Sequence, residues 1–302
     1  MTTDERPAPS SPAPFSPASF SPVPSGTALP RLVAFDIDGT LFDSTKRPQP
    51  GTLRAFAGLR AAGTRIMLAS GRPIPGLQGL AERCGLGTDL IFAGLNGSVV
   101  VDQATGRTLA RHPVPENVAR PLIATGVRHG ALMMLPHDDE LVVADDGDPQ
   151  AVHEAGGNGL TLRLVEDITA PGIEPTKVLY CAPRPQLEIL EVELRERFAD
   201  RIELSYSSPI YLEATGAGVD KSTALLDFCR TQGIEPAETM AFGDNGNDVT
   251  MLRAAGIGVA MGNAIPEAQE AADIVTASHD DEGIARVLSR WVDVGELTPA
   301  VG

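Results

Sequence analysis

The run LVAFDIDGTL (residues 32–41) decides how this chain folds. Leu32 to Phe35 is apolar without interruption, the pattern of a strand covered on both faces of a sheet. The run ends on Asp36, and because side chains along a strand alternate with period two, Asp36 and Asp38 are expected to project in similar directions. Gly39 then frees the backbone to leave the sheet sharply. A buried strand that delivers two carboxylates at its exit is both a core element and a candidate site.

Outward from this run the pattern alternates. Residues 49–62 have helical spacing closed by Gly63, Arg65–Ala69 reads as a second buried strand ending at Ser70, a helix is expected near 75–84, and a strand at 90–93. Short strands separated by helices imply right-handed crossovers and a parallel sheet, a doubly wound, Rossmann-like α/β fold. After Asn96-Gly97 the pattern changes. Residues 98–102 and 107–113 flank the turn Gln103-Ala104-Thr105-Gly106 as a hairpin. Next come a helix near 115–129, strands near 131–135 and 140–144, a strand at 176–181, a helix at 185–199, and strands near 201–206 and 210–214. Hairpins mixed with helices predict an inserted α+β domain over 98–207, and a domain set into a loop of such a fold commonly works as a lid. The alternation returns with helix 220–232, strand 239–242, helix 246–255, strand 257–259, helix 265–271, strand 273–275 and helix 281–292. Residues 31–97 and 208–292 therefore form one core, with 293–302 a flexible end.

Residues 1–30 are dominated by Pro, Ser and Ala, with Phe15 and Phe20 as their large apolar side chains. Such a segment buries too little to offset its ordering entropy and is expected to stay disordered. It lacks the cationic start and unbroken apolar stretch of a secretory signal. The chain of 302 residues carries a formal charge of −16, with 40 acidic against 24 basic residues, and has no Lys/Arg block. That balance excludes nucleic acid and anionic membrane as expected partners. Hydrophobic residues at 42% suffice for cores of this size, and no stretch approaches the length of a membrane helix. Cys84, Cys181 and Cys229 are odd in number and widely spaced, which fits reduced thiols and a cytoplasmic protein.

Four polar motifs follow the expected core strands, at the edge where open parallel sheets place ligands. They are Asp36-Ile37-Asp38-Gly39-Thr40, Ser70-Gly71-Arg72, Lys221, and Gly243-Asp244-Asn245-Gly246-Asn247-Asp248. Asp36, Asp38, Asp244 and Asp248 crowded together would repel strongly. A hard divalent cation relieves that repulsion, and Mg²⁺ with retained waters and a phosphate is the usual choice. A carboxylate beside a metal-bound phosphate is a competent nucleophile, while a second can protonate the leaving oxygen and later deprotonate water. The Ser70 hydroxyl, the Gly71 N–H, Lys221 and Asn247 are donors suited to the remaining phosphate charge. Taken singly, each motif also has an ordinary structural reading as a turn, a solvated lysine or an Asx-rich loop.

The segments AFDIDGTL (34–41), LASGRP (68–73), GVDKSTAL (218–225), GDNGNDVTML (243–252), GIGVAMGNA (256–264) and ADIVTASHDDEGIARVL (272–288) resemble the Cof-type branch of the haloacid-dehalogenase superfamily. The resemblance spans 31–292 and is weakest over the inserted domain. It implies a Mg²⁺-dependent phosphatase of a small phosphorylated metabolite, with a C2-type cap. By position it implies Asp36 as nucleophile and metal ligand. Asp38 would be the acid/base and lend its carbonyl to the metal, and Asp244 would be the third ligand. The Ile37 N–H, Ser70, Gly71, Lys221 and Asn247 would hold the phosphate, and Asp248 would orient Lys221 or a metal-bound water. Ser222 departs from the glycine common in this branch. The alternatives are a phosphomutase of the phosphomannomutase type and a non-catalytic phosphometabolite sensor.

Other residues have two readings each. His137-Asp138-Asp139-Glu140 and His279-Asp280-Asp281-Glu282 repeat a tetrapeptide that could hold metal. The first reads more simply as a hairpin turn, and the second as a helix cap by Asp280 or Asp281. Arg72 could reach the substrate or the cap, or pair with a core carboxylate. Met133 and Met134 either line the cap's inner face or fill gaps in its core.

Overall fold

The computed structural model describes residues 28–170, 172 and 174–297. The expected tail, with Phe15 and Phe20, falls outside them except for residues 28–30, as does the very end of the chain.

Strands β1 (Leu32–Phe35), β2 (Arg65–Ala69), β3 (Ile91–Gly94), β4 (Val99–Asp102) and β5 (Arg107–Arg111) are five strands of an eight-stranded sheet. The chain then builds a second sheet from β6 (Leu132–His137), β7 (Glu140–Val143), β8 (Thr161–Leu164), β9 (Val178–Cys181), β10 (Ile202–Ser208) and β11 (Tyr211–Gly216). It returns through β12 (Thr239–Gly243), β13 (Ile257–Ala260) and β14 (Ile274–Val275) to complete the first, in the order β14-β13-β12-β1-β2-β3-β4-β5. Pairing is parallel from β14 to β3 and antiparallel for β4 and β5.

The alternation along β1 explains why its run is wholly apolar. Val33 and Phe35 pack with Phe56 and Leu59 of helix α1 (Pro50–Ala61) on one face, and Phe35 stacks on Phe242 at 5.1 Å between ring centroids. Leu32 and Ala34 face a different cluster. Helix α2 (Ile74–Arg83) belongs to the first cluster. In the inserted region lie α3 (Glu116–Arg128), α4 (Pro149–Asn158) and α5 (Arg184–Phe198). Helix α6 (Lys221–Gln232) supplies Leu225 and Phe228 beneath Leu32 and Ala34, and α7 (Val249–Ala254) adds Met251 and Leu252. Helices α8 (Pro266–Ala271) and α9 (Gly283–Leu288) close the core.

The inserted domain begins and ends later than residues 98 and 207. The hairpin β4–β5 extends the core sheet, because Ile91↔Asp102 and Gly94↔Val99 pair across it. At the other end β11 pairs with β9 of the second sheet. A hairpin signal states that two strands pair with each other and is silent on which sheet their free edge joins. Helix α4 and strand β8 gave no sequence signal. Gly156-Gly157 weakens the helical pattern, and β8 has little burial to impose alternation.

Met133 and Met134 are fully buried in two clusters of the inserted domain, so they fill its core. Asp138 takes a left-handed conformation (φ 55°) in the β6–β7 turn and pairs with Arg111. In the second tetrapeptide, Asp280 accepts from Ser44 and Asp281 from the Ser278 hydroxyl, while Glu282 sits at the start of α9 without a side-chain cap. Capping by Asp280 or Asp281 is thus not what holds that turn. Among the described residues, neither tetrapeptide gathers ligands for a metal. Burial pushes the Cys181 and Cys229 thiols up to about 11, which keeps them unreactive. No described helix is long and apolar enough to cross a membrane.

Candidate active site

The strand order reverses around β1, which has β2 on one side and β12 on the other, and loops from both halves meet at the carboxyl ends. Asp36 follows β1, Ser70 follows β2, Asn96 follows β3, and Asp244 follows β12. The turn after Asp36 is closed by backbone bonds from Leu41 N to Asp36 O (3.2 Å) and Phe42 N to Ile37 O (3.0 Å). Gly39 has a φ of +91°, and a Cβ there would collide with the Asp244 carboxylate, so only glycine serves.

Lys221 opens α6, whose first turn is set by a capping box between Asp220 and Thr223. That start aims a fully buried ammonium between two carboxylates: Lys221 Nζ donates to Asp36 Oδ1 at 2.5 Å and to Asp248 Oδ1 at 2.6 Å. Ser222 donates its hydroxyl to the Asp220 carboxylate and leaves the lysine's contacts intact. The other Asp248 oxygen accepts from Asp244 N and Asn245 N at 2.9 and 3.0 Å, folding the GDNGND loop around itself. Thr40 donates its hydroxyl to Asp244 Oδ1 at 2.7 Å.

One carboxylate oxygen each of Asp36, Asp244 and Asp248 lie within 4.8 Å of one another. Three carboxylates against the one Lys221 ammonium leave negative charge in excess. Burial first, then the charges of Asp248 and Asp244, push the Asp36 carboxyl far above the usual range despite Lys221. Lys221 is in turn pushed up, since the pull of Asp248 and Asp36 outweighs its burial. An oxygen-lined, electron-rich hollow of this kind could hold a small divalent cation.

Asp38 lies elsewhere. Its carboxyl is 42% exposed and outside the cluster of three, accepting from Arg72 Nη2 at 2.8 Å and Lys46 Nζ at 3.1 Å. Partial burial works against ionisation, but the hydrogen bonds and charges of Arg72, then Lys46, hold the carboxyl below its usual range. The crowd of four carboxylates expected from sequence is therefore three, because the sharp turn carries Asp38 off the line of β1. Of the readings open for Arg72, pairing with a core carboxylate is the one the structure contains.

Ser70 and Gly71 adjoin Asn96, which donates its N–H to Ser70 O at 2.9 Å. Asn247 reaches the same place, donating from Nδ2 to Asn96 Oδ1 at 3.3 Å. Thr40, Asn96 and Lys46 were not assigned site positions from sequence. Thr40 and Asn96 could have been suspected from their place at the same sheet edge. Lys46 could not, since its left-handed turn (φ 62°) after the DIDGT motif leaves no periodic signal.

The profile of the haloacid dehalogenase-like hydrolases matches residues 33–288. The chain is 31% identical over 270 residues to the HMP-PP phosphatase of Serratia proteamaculans, covering 89% of this chain and 97% of that one. A haloacid dehalogenase-like hydrolase from Bacteroides thetaiotaomicron superimposes with a TM-score of 0.76 at 29% identity, over 86% of this chain and 98% of that one. A HAD subclass IIB sugar phosphatase superimposes with a TM-score of 0.72 at 27% identity, over 86% and 98% of the two chains.

Proposed function

The chain belongs to the haloacid dehalogenase-like hydrolase family, and from that premise we propose that it hydrolyses a small phosphomonoester through a phosphoryl-aspartate at Asp36, with Mg²⁺ in the carboxylate hollow. The observation that carries the proposal is the trio Asp36, Asp244 and Asp248 at the carboxyl edge of the sheet, with one buried lysine paired to Asp36 and Asp248. Asp36, Asp244 and the Asp38 carbonyl would hold the metal, which when bound offsets the charge of the carboxylates and of the phosphoryl oxygens.

Asp36 attacks phosphorus and the ester P–O bond breaks; for Asp38 to give a proton to the leaving oxygen, bound substrate must first draw Arg72 or Lys46 away from it, since both hold it ionised in the free site. Asp38 then takes a proton from water, which attacks the phosphoryl-aspartate and frees inorganic phosphate. The Ile37 and Gly71 N–H groups, the Ser70 hydroxyl, Lys221 and Asn247 bind the phosphoryl oxygens, and Asp248 fixes Lys221 through the 2.6 Å bond. The inserted domain selects the leaving group and excludes water. Three free thiols fit a reducing cytoplasm.

The test is a screen of HMP-PP, sugar phosphates and phosphorylated cofactors with Mg²⁺ and with EDTA. Phosphate release that survives EDTA undiminished sinks the metal-dependent reading. Release of inorganic phosphate, rather than isomerised monophosphate, distinguishes hydrolysis from mutase action. Asp38→Asn is expected to lower kcat by about 10²–10⁴, the usual worth of general acid–base help, while Mg²⁺ affinity changes little. An unchanged kcat removes Asp38 from its role.

A pH dependence follows from Asp36. Its folded pKa, pushed up to about 8, exceeds the ordinary 3.8, so the stability it contributes is full at low pH and is lost as pH rises through about 8. Without metal, the melting midpoint of the wild type relative to Asp36→Asn is expected to fall between pH 5 and pH 8. Mg²⁺ should cancel most of that fall. A difference flat with pH would contradict the crowding described above.

A further inference from the structure

A second buried lysine, Lys177, forms an ion pair with the buried Glu213 in the inserted domain. Their side chains are 3% and 5% exposed, and Lys177 Nζ donates to Glu213 Oε1 at 3.0 Å. Lys177 immediately precedes β9, and Glu213 lies on β11 opposite Leu179. The pair is not satisfied within its own domain. Lys177 Nζ also donates to the carbonyl of Gly71 at 3.1 Å, and Glu213 Oε2 accepts from Asn96 Nδ2 at 3.0 Å, both across the boundary to the core.

Those two core partners are themselves part of the phosphate loops. Asn96 is buried in a left-handed conformation (φ 55°), bonded through its backbone to Ser70 O and through Oδ1 to Asn247 Nδ2. Buried charges are tolerated when each finds complementary hydrogen bonds, and are costly when a partner is withdrawn. Separating the domains strips Lys177 of the Gly71 carbonyl and Glu213 of the Asn96 amide in one motion. The same motion releases the carbonyl of Gly71 and the amide that Asn247 leans on.

We propose that Asn96, Lys177 and Glu213 are positioning residues that hold the Ser70–Gly71 and Asn247 loops in their phosphate-binding arrangement only while the inserted domain is docked on the core. The inference rests on the phosphatase reading above. It makes phosphate affinity depend on residues that do not touch phosphate, two of them in the other domain.

The experiment is titration of the full chain with inorganic phosphate in the presence of Mg²⁺, followed by calorimetry, on the wild type and two variants. Lys177→Met with Glu213→Leu removes both charges together, so that neither is left alone. Asn96→Gly removes the amide and leaves the left-handed backbone unstrained. Each folded variant is expected to bind inorganic phosphate about tenfold more weakly, within the usual range of coupling between sites. Lys177→Arg, which keeps a donor, should recover part of the loss. A purely structural pair would lower the melting midpoint and leave phosphate affinity alone. Affinity within about twofold of wild type in either folded variant overturns the inference. Should the double variant fail to fold, Asn96→Gly decides. If wild-type protein with Mg²⁺ binds no inorganic phosphate, the phosphatase reading itself fails, and this inference with it.

Discussion

Asp36→Asn is expected to fold as well as the wild type, or better, and to release no phosphate from any substrate. The amide is isosteric and can still accept from Lys221, so the 2.5 Å contact has a replacement. It also removes a carboxylate that burial and the charges of Asp248 and Asp244 make costly to ionise. Chemistry has no such replacement, because an amide oxygen does not form the phosphoryl intermediate. Loss of a nucleophile that acts with other groups as a unit typically costs on the order of 10⁴-fold or more in kcat. The measurement is single-turnover phosphate release together with a melting curve. Mass spectrometry of acid-quenched wild type should find the phosphoryl group on the peptide holding Asp36. Undiminished turnover by the variant, or a phosphoryl group elsewhere, rejects the covalent mechanism.

Lys221→Met should give the largest loss of stability among the site residues. Lys221 is fully buried, Asp248 equally so, and Asp36 nearly so. Removing the ammonium leaves two buried carboxylates facing each other without their shared cation, and breaking a buried pair in this way costs about 3–5 kcal/mol. For a chain of this size that corresponds to a fall in Tm of roughly 10 °C. Two further measurements separate this cause from lost packing. Mg²⁺ should restore part of the Tm, since a cation in the hollow again faces the carboxylates. Adding Asp248→Asn should restore part of it without metal, while phosphate release stays absent in both variants. A Tm that neither change lifts would mean that the methylene packing of Lys221, and not its charge, was lost.

The groups proposed to bind phosphate stand out in the sequence because each is expected at a strand end or a helix start, where a local pattern is legible. The apolar run ending at Asp36 and the helix opening at Lys221 are such places. Their meeting, 185 residues apart in the chain, follows once the strands are parallel and the loops lie on one edge. Asp38 shows the limit of that reasoning. Period-two alternation put it beside Asp36, but alternation ends where the strand ends, and the turn at Gly39 gives Asp38 to Arg72 and Lys46. Lys177 and Glu213 carried no signal, since a single charge in an apolar strand does not name its partner.

The sequence by itself therefore determined the doubly wound α/β core, the polar motifs that follow its strands, and the change to hairpins and helices between its two halves. These depend on periodicity and on residue chemistry, both of which are local. Only the tertiary structure decided that β4 and β5 join the core sheet, that the carboxylate cluster holds three members, and that Asn96 ties the Ser70 and Asn247 loops to a buried pair in the other domain. These depend on which surfaces meet across long separations, such as the 151 residues between Asn96 and Asn247, and burial of a charge is settled by all its neighbours together.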